Sequence, residues 1–187
     1  MDTRETLIAE ATQLIQKSGY AGFSYADLSK VVGFTKASIH YHFPVKGDLG
    51  VSIVDAYREA FRAQLAQVRA TKRTATLRLT SYAALYRAGI VAGRGCLCGV
   101  LAAEYAILPK EVQLAVNAFF EENVAWLEDV LTEGQRAGQV GTSLGIPDLA
   151  RMLLSTLQGA MVTSRPLANP SASFDAVVQA VLGTIHR

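Results

Sequence analysis

Residues 23–49 read FSYADLSKVVGFTKASIHYHFPVKGDL, and this stretch specifies two short helices with a tight turn between them. Ser24 opens the first helix as its N-cap, with Asp27 three residues on in a capping-box arrangement. The inward face is Tyr25, Leu28 and Val31 or Val32, at helical spacing. Gly33 ends that helix, because a left-handed backbone costs glycine little. Thr35 caps the second helix, which runs to about His42, and Pro44 stops it. Two helices that cross steeply need small residues where they touch, and Ala26 and Ala37 are predicted to supply them. Leu14, Leu28, Val32, Ile39 and Phe43 then form the core of a helix-turn-helix unit.

That core leaves a polar face on the second helix: Thr35, Lys36, Ser38, His40, Tyr41 and His42. Side chains of this kind hydrogen-bond and stack, and they reach base edges and phosphates in a major groove. Each also has a plainer reading: Thr35 as a cap only, Lys36 as a solvated charge, Tyr41 as a half-buried anchor. The set points to DNA where no single member does. His40 and His42 lie two apart on a helix, so their side chains diverge by about 200° and do not converge on one metal ion. No metal and no cofactor is expected.

Helical periodicity extends outward from this segment in both directions. Leu7, Ile8, Ala11, Leu14 and Ile15 make a stripe on a preceding helix that ends near Ser18, with Gly19 as its C-cap. A helix beginning at Val45 or Lys46 runs past Phe61 towards Arg69. Further helices are predicted over Ala75–Val91, Gly99–Ile107, Lys110–Ala137, Pro147–Ser164 and Ser173–His186, and no stretch alternates as a strand would. The fold class expected is all-α with about nine helices. Residues 1–48 are expected to form a three-helix DNA-binding head, and residues 49–187 a larger helical-bundle body.

Composition agrees with a folded, soluble-type chain. Half of the 187 residues are apolar and 18% are charged, with a net charge of +2. The basic excess is local: residues 1–73 hold ten Lys and Arg against seven Asp and Glu, enough for a patch that attracts phosphate. No apolar run reaches the roughly 18 residues of a membrane span, and Gly99–Leu108 is cut by Glu104. The acidic N-terminus does not resemble a signal peptide, and two cysteines make no disulfide framework. A cytoplasmic address is expected, with no membrane partner.

From about Arg4 to Tyr57 the chain resembles the N-terminal domain of TetR-family transcriptional regulators. The matching residues are Ser24-Tyr25-Ala26-Asp27-Leu28, Val32-Gly33-Phe34-Thr35-Lys36-Ala37-Ser38-Ile39, and His42-Phe43-Pro44-Val45-Lys46-Gly47-Asp48-Leu49. The resemblance implies a homodimeric repressor that places two recognition helices in successive major grooves of a palindromic operator, about 34–36 Å apart or slightly more. Carried over by position, Thr35, Lys36, Ser38 and Tyr41 lie in or beside the groove, and Lys46 meets a phosphate. The family commonly has tyrosine directly after the Leu or Ile of the third helix. Here that position is His40, and the tyrosine follows at Tyr41, so the backbone contact falls to one or the other.

A regulator of this kind needs a signal, and the residues for an effector pocket are Tyr82, Tyr86, Tyr105, Phe119, Phe120, Trp126 and Met161; core packing is the alternative use of such residues. The small-molecule effector itself is not named by any charge cluster. Gly95-Cys96-Leu97-Cys98-Gly99 is the second candidate sensor, since thiols at a helix start ionise more readily. Some TetR-type repressors that respond to electrophiles have a similar Gly-Cys-Leu stretch; the other reading of Cys96 and Cys98 is packing. For the dimer, Leu149, Leu153, Leu157 and Ala160 are predicted to make one face and Ala115, Phe119, Val124, Leu127 and Leu131 the partner face, with Ser155, Gly159 and Thr163 allowing close approach; the other use of these faces is to close the core of a single subunit. Coupling from body to head is expected through Val51–Phe61. An enzyme or a protein-binding adaptor would be the rival classes. Glu104, Glu121, Glu122, Glu128 and Asp129 read as solvated helix faces, and neither a Ser-His-Asp nor an HExxH arrangement is present.

Overall fold

The computed structural model describes residues 2–185. Its helices are α1 (Thr3–Ser18), α2 (Tyr25–Val32), α3 (Lys36–His42), α4 (Lys46–Thr71), α5 (Ala75–Val91), α6 (Leu97–Ala103), α7 (Lys110–Arg136), α8 (Ile146–Ser164) and α9 (Pro170–Gly183), with one 3-10 turn at Tyr105–Ile107. Among the described residues the expectation of an all-α fold with about nine helices holds. The bounds of α7 and α8 each differ by one residue, α6 gives way to the 3-10 turn after Ala103, and two helix starts move further. α6 starts at Leu97, ahead of Gly99, because Cys96 caps it in extended backbone and its carbonyl accepts from the Val100 N–H at 2.9 Å. α9 starts at Pro170, where the Asn169 side chain accepts from the Ala172 N–H at 3.1 Å and the first helical residue needs no N–H of its own. The predicted end of α9 at His186 lies outside the described residues.

These helices form two compact units. One consists of the chain up to Phe61 with Arg94–Phe119, the other of Arg62–Gly93 with the chain from Phe120 on. In the first, α1 packs on α2 and α6, and α2 packs on α3. Its buried side chains include Leu7, Ala11, Ile15, Leu28, Ile39, Phe43, Leu49 and Ile53, and each leucine, isoleucine or phenylalanine among them stabilises the fold by about 1.5–3 kcal/mol. Leu49 and Ile53 of α4, beyond the 48/49 boundary expected from the sequence, belong to this same core. Two details of the head differ from expectation. Val31 is exposed, leaving Tyr25, Leu28 and the half-buried Val32 on the inner face of α2. Ala37 is exposed too, because burying Ile39 and Phe43, one turn apart, points position 37 away from the core.

In the second unit α8 packs on α9, and α5 packs on both. The stripe Leu149, Leu153, Leu157 and Ala160, expected to meet a second subunit, is buried here, as are Leu127 and Leu131 of α7. Ala115 and Phe119 are buried within the first unit, and Val124 is half-buried. This stripe of α8 therefore closes the core of a single chain. Its outward face carries Met152, Ser155, Gly159, Val162 and Thr163.

Candidate nucleic-acid interface

The local sequence of the head fixes its two short helices by side-chain capping. The Ser24 hydroxyl accepts from the Asp27 N–H at 3.3 Å and donates to the Asp27 carboxylate at 2.5 Å. That hydroxyl, followed by Lys30, holds the Asp27 carboxyl below its ordinary range. Gly33 sits in left-handed backbone at φ +74°, and its N–H reaches the Ser29 carbonyl at 3.0 Å. Thr35 then accepts from the Ser38 N–H at 3.2 Å. The turn and both caps are where the sequence placed them, and Ser24 and Thr35 spend their oxygens on caps.

Tyr25 joins the two helices. Its hydroxyl donates to the Phe43 carbonyl at 2.8 Å, and its ring stands edge-on to His40, 4.8 Å between centroids. His40 Nδ1 lies 3.4 Å from the Pro44 carbonyl, so this imidazole is tied to its own helix end. Tyr41 is 84% exposed, and its ring meets that of the half-buried His42 at 5.3 Å. Lys36 and Ala37 are exposed beside it, and Ser38 is half-buried. The Arg4 guanidinium of α1 lies 4.9 Å over the Phe43 ring and donates to the Ser52 hydroxyl at 2.9 Å.

Lys46 faces inward. Its ammonium donates to the Tyr20 and Phe23 carbonyls, each at 2.6 Å, and lies 4.3 Å and 5.1 Å from the centroids of those two rings. Burial pulls its pKa below the ordinary lysine value, while Glu104 opposes the shift. The ammonium expected to meet a phosphate thus has an internal engagement: two of its three donors close the loop between α1 and α2.

Residues 75–181 match the family described as the tetracyclin repressor-like C-terminal domain, and residues 7–52 match the bacterial regulatory proteins of the tetR family. The chain belongs to the TetR family. A TetR-family transcriptional regulator from Agrobacterium tumefaciens is similar over 98% of this chain and 97% of its own, with a TM-score of 0.94 and 33% identity. The transcriptional repressor DhaR of Mycobacterium sp. (strain GP1) is 26% identical over 85% of this chain and 80% of its own length. The reduced form of Escherichia coli NemR shares the fold at 23% identity, with a TM-score of 0.85 over 98% of this chain and 97% of that one. The protein is accordingly a DNA-binding transcriptional regulator of the repressor type, and TetR regulators act as dimers.

The seven pocket candidates separate. Tyr82, Tyr86 and Trp126 come together in the second unit: the Tyr82 and Trp126 rings stack 5.3 Å apart at 17°, and the Tyr82 hydroxyl donates to Asn123 Oδ1 at 2.9 Å. Since that proton is committed, Tyr86 is the donor in the 3.0 Å contact between the two hydroxyls. The Trp126 indole N–H is buried without a partner, and Arg69 lies 5.8 Å over its ring. Asn123, only 2% exposed, was not among the sequence candidates; no periodicity marks a lone buried amide. Met161 is buried and Phe120 half-buried in the same unit. Tyr105 and Phe119 belong to the first unit, where Tyr105 accepts from Asn117 at 2.8 Å and Phe119 packs on Tyr57 and Phe61. None of the seven lines the groove of about 620 Å³ formed by α8, α9 and residues 142–144, which is walled by Leu144, Met152, Thr156, Val177 and Val181.

Both thiols are enclosed, Cys96 at 5% exposure and Cys98 at 0%. The Tyr57 hydroxyl points to the Cys96 sulfur at 3.7 Å. Burial, then the two thiols, pushes the Tyr57 pKa up.

Proposed function

We propose that this TetR regulator reads a palindromic operator with Lys36, Ala37, Ser38 and Tyr41 of α3, one copy of the head per half-site. The observation that carries this reading is the outward Tyr41 beside an exposed Lys36, while Lys46 is engaged internally and His40, itself exposed, leans on the Tyr25 ring. Thr35 and Ser24 act chiefly as caps, and His42 supports Tyr41. Ala37 adds a methyl of the kind that packs on thymine. The head, residues 1–48, does the reading, and residues 49–187 sense and dimerise. Selecting duplexes from a random library with the wild type and with Lys36→Ala tests the assignment. A relaxed preference at one position of each half-site supports base contact by Lys36; uniform weakening places it on the phosphates.

A small-molecule effector acting at the Tyr82–Asn123–Trp126 cluster is the favoured route to operator release, because the indole donor there is buried with no acceptor. Coupling of one to three kcal/mol gives about 5- to 150-fold relief. We read the chain as a cytoplasmic regulator without catalysis or cofactor. A second route, modification of Cys96 or Cys98, draws on the Tyr57–Cys96 contact and on a fold shared with a protein crystallised in a reduced form. Enclosed thiols react only when the structure opens. Operator release by an oxidant that persists in both Cys96→Ser and Cys98→Ser removes this route.

A further inference from the structure

The loop between α1 and α2 is gripped from two sides. On one side is Lys46, at the start of α4, with its two 2.6 Å hydrogen bonds to the Tyr20 and Phe23 carbonyls. On the other is Glu104, the residue that ends α6. Its carboxylate accepts from the Tyr20 N–H at 2.5 Å and from the Ala21 N–H at 3.4 Å. Tyr20 is thus held at both ends of its backbone, its N–H by an anion and its C=O by a cation.

Gly19 makes this approach feasible. A Cβ there would lie 2.7 Å from Glu104 Oε1, and the residue sits at φ +79°. The segment before α6 is fastened to α1 as well: the buried Gln16 side chain donates to the Gly95 carbonyl at 2.8 Å. Both ends of α6 therefore hold the C-terminal end of α1 and the loop that follows it. Nothing in the periodicity of residues 97–108 marks Glu104 for this task, since it interrupts an otherwise apolar run.

We infer that Glu104 is a positioning residue for DNA reading: its carboxylate fixes the Gly19–Phe23 loop against the Lys46 ammonium, and this fixes the entry of α2 and the pose of α3. Displacement of α6 then reaches the head through this loop as well as along α4. A charge-assisted pair of amide contacts is roughly twice as strong as a neutral one, so the loop is held firmly while Glu104 stays in place.

The inference rests on the reading of α3 given above, and its test uses the full chain. Amide exchange of Tyr20 and Ala21 is followed in wild type, Glu104→Ala and Glu104→Gln. Affinity and salt slope are measured on a duplex selected from a random library by the wild type. Glu104→Ala should speed exchange at both amides and weaken binding about tenfold, a change of about 1.4 kcal/mol. Its salt slope should not change, because no phosphate contact is lost. Glu104→Gln, which keeps one acceptor oxygen, should fall between and serves if the alanine variant does not fold. Wild-type affinity in the variant whose loop amides exchange faster overturns the proposal, and so does weakened binding with both amides still protected. Failure of the α3 reading looks different: Tyr41→Ala would then bind as the wild type does while Glu104→Ala still weakened binding.

Discussion

The Tyr25 ring stands edge-on to the His40 imidazole, 4.8 Å between centroids, so of the two exposed aromatic side chains at the end of α3 His40 leans on α2 and Tyr41 does not. With His40 beside Tyr25 and the Pro44 carbonyl, Tyr41 projects about 100° further round the helix at 84% exposure. The shift of tyrosine by one position, relative to the common family pattern, thus moves the aromatic that faces solvent by about 100° around α3.

Tyr41→Ala and His40→Ala should separate function from stability. The first removes an exposed ring and is expected to weaken operator binding severalfold with the melting temperature unchanged. The second removes an aromatic contact worth about 0.5–1.5 kcal/mol and should lower the melting temperature with little effect on affinity once the protein is folded. Thermal melts and binding isotherms on the same samples check both.

Lys46→Met keeps the apolar stem over the Tyr20 and Phe23 rings but removes both donors. Leaving two loop carbonyls without their partner should cost about 1–3 kcal/mol in urea unfolding. The slope of log affinity against log salt should stay at the wild-type value. A fall of about 0.9 per bound head would mean that Lys46 meets a phosphate after all.

Tyr25 should mark the alkaline limit of the head. Burial, then Tyr20 and Asp48, pushes its pKa from 10.0 to about 12. The native state therefore holds this proton more tightly than the unfolded chain does. Its contribution is complete below pH 10 and is lost as pH rises from 10 towards 12. Tyr25→Phe should be less stable at neutral pH, through loss of the Phe43 hydrogen bond, and its stability should fall less steeply across that window. Unfolding curves at a series of alkaline pH values read the difference.

On α8 the outward Met152, Ser155, Gly159 and Val162 make a smooth face of small and apolar residues, of the sort that admits a helix from a second subunit. Val162→Glu should shift the protein from dimer to monomer in sedimentation equilibrium without unfolding it, because Val162 is 67% exposed. A dimer that survives this change and a Gly159→Gln change would place the interface elsewhere.

Much of this was legible in the sequence. Ser24, Gly33, Thr35 and Pro44 act through local backbone chemistry, so their roles can be read from order alone, and the apolar spacing gave the helices. What could not be read depends on which faces tertiary packing covers. The stripe Leu149, Leu153, Leu157 looks the same whether it meets its own chain or another, and α5 and α9 decide that it meets its own. A lysine at a helix start points outward or inward according to whether carbonyls lie within reach, and the Tyr20–Phe23 loop brings two. Asn123 and Glu104 act through partners 41 and 84 residues away, beyond any local pattern.

Methylation interference on the selected operator tests the central claim most directly. If α3 from each of two subunits enters the major groove, methyl groups on guanine N7 should block binding in two zones whose centres lie about 34–36 Å apart, or slightly more, on one face of the duplex. A single zone, or interference confined to minor-groove adenines, would contradict the account.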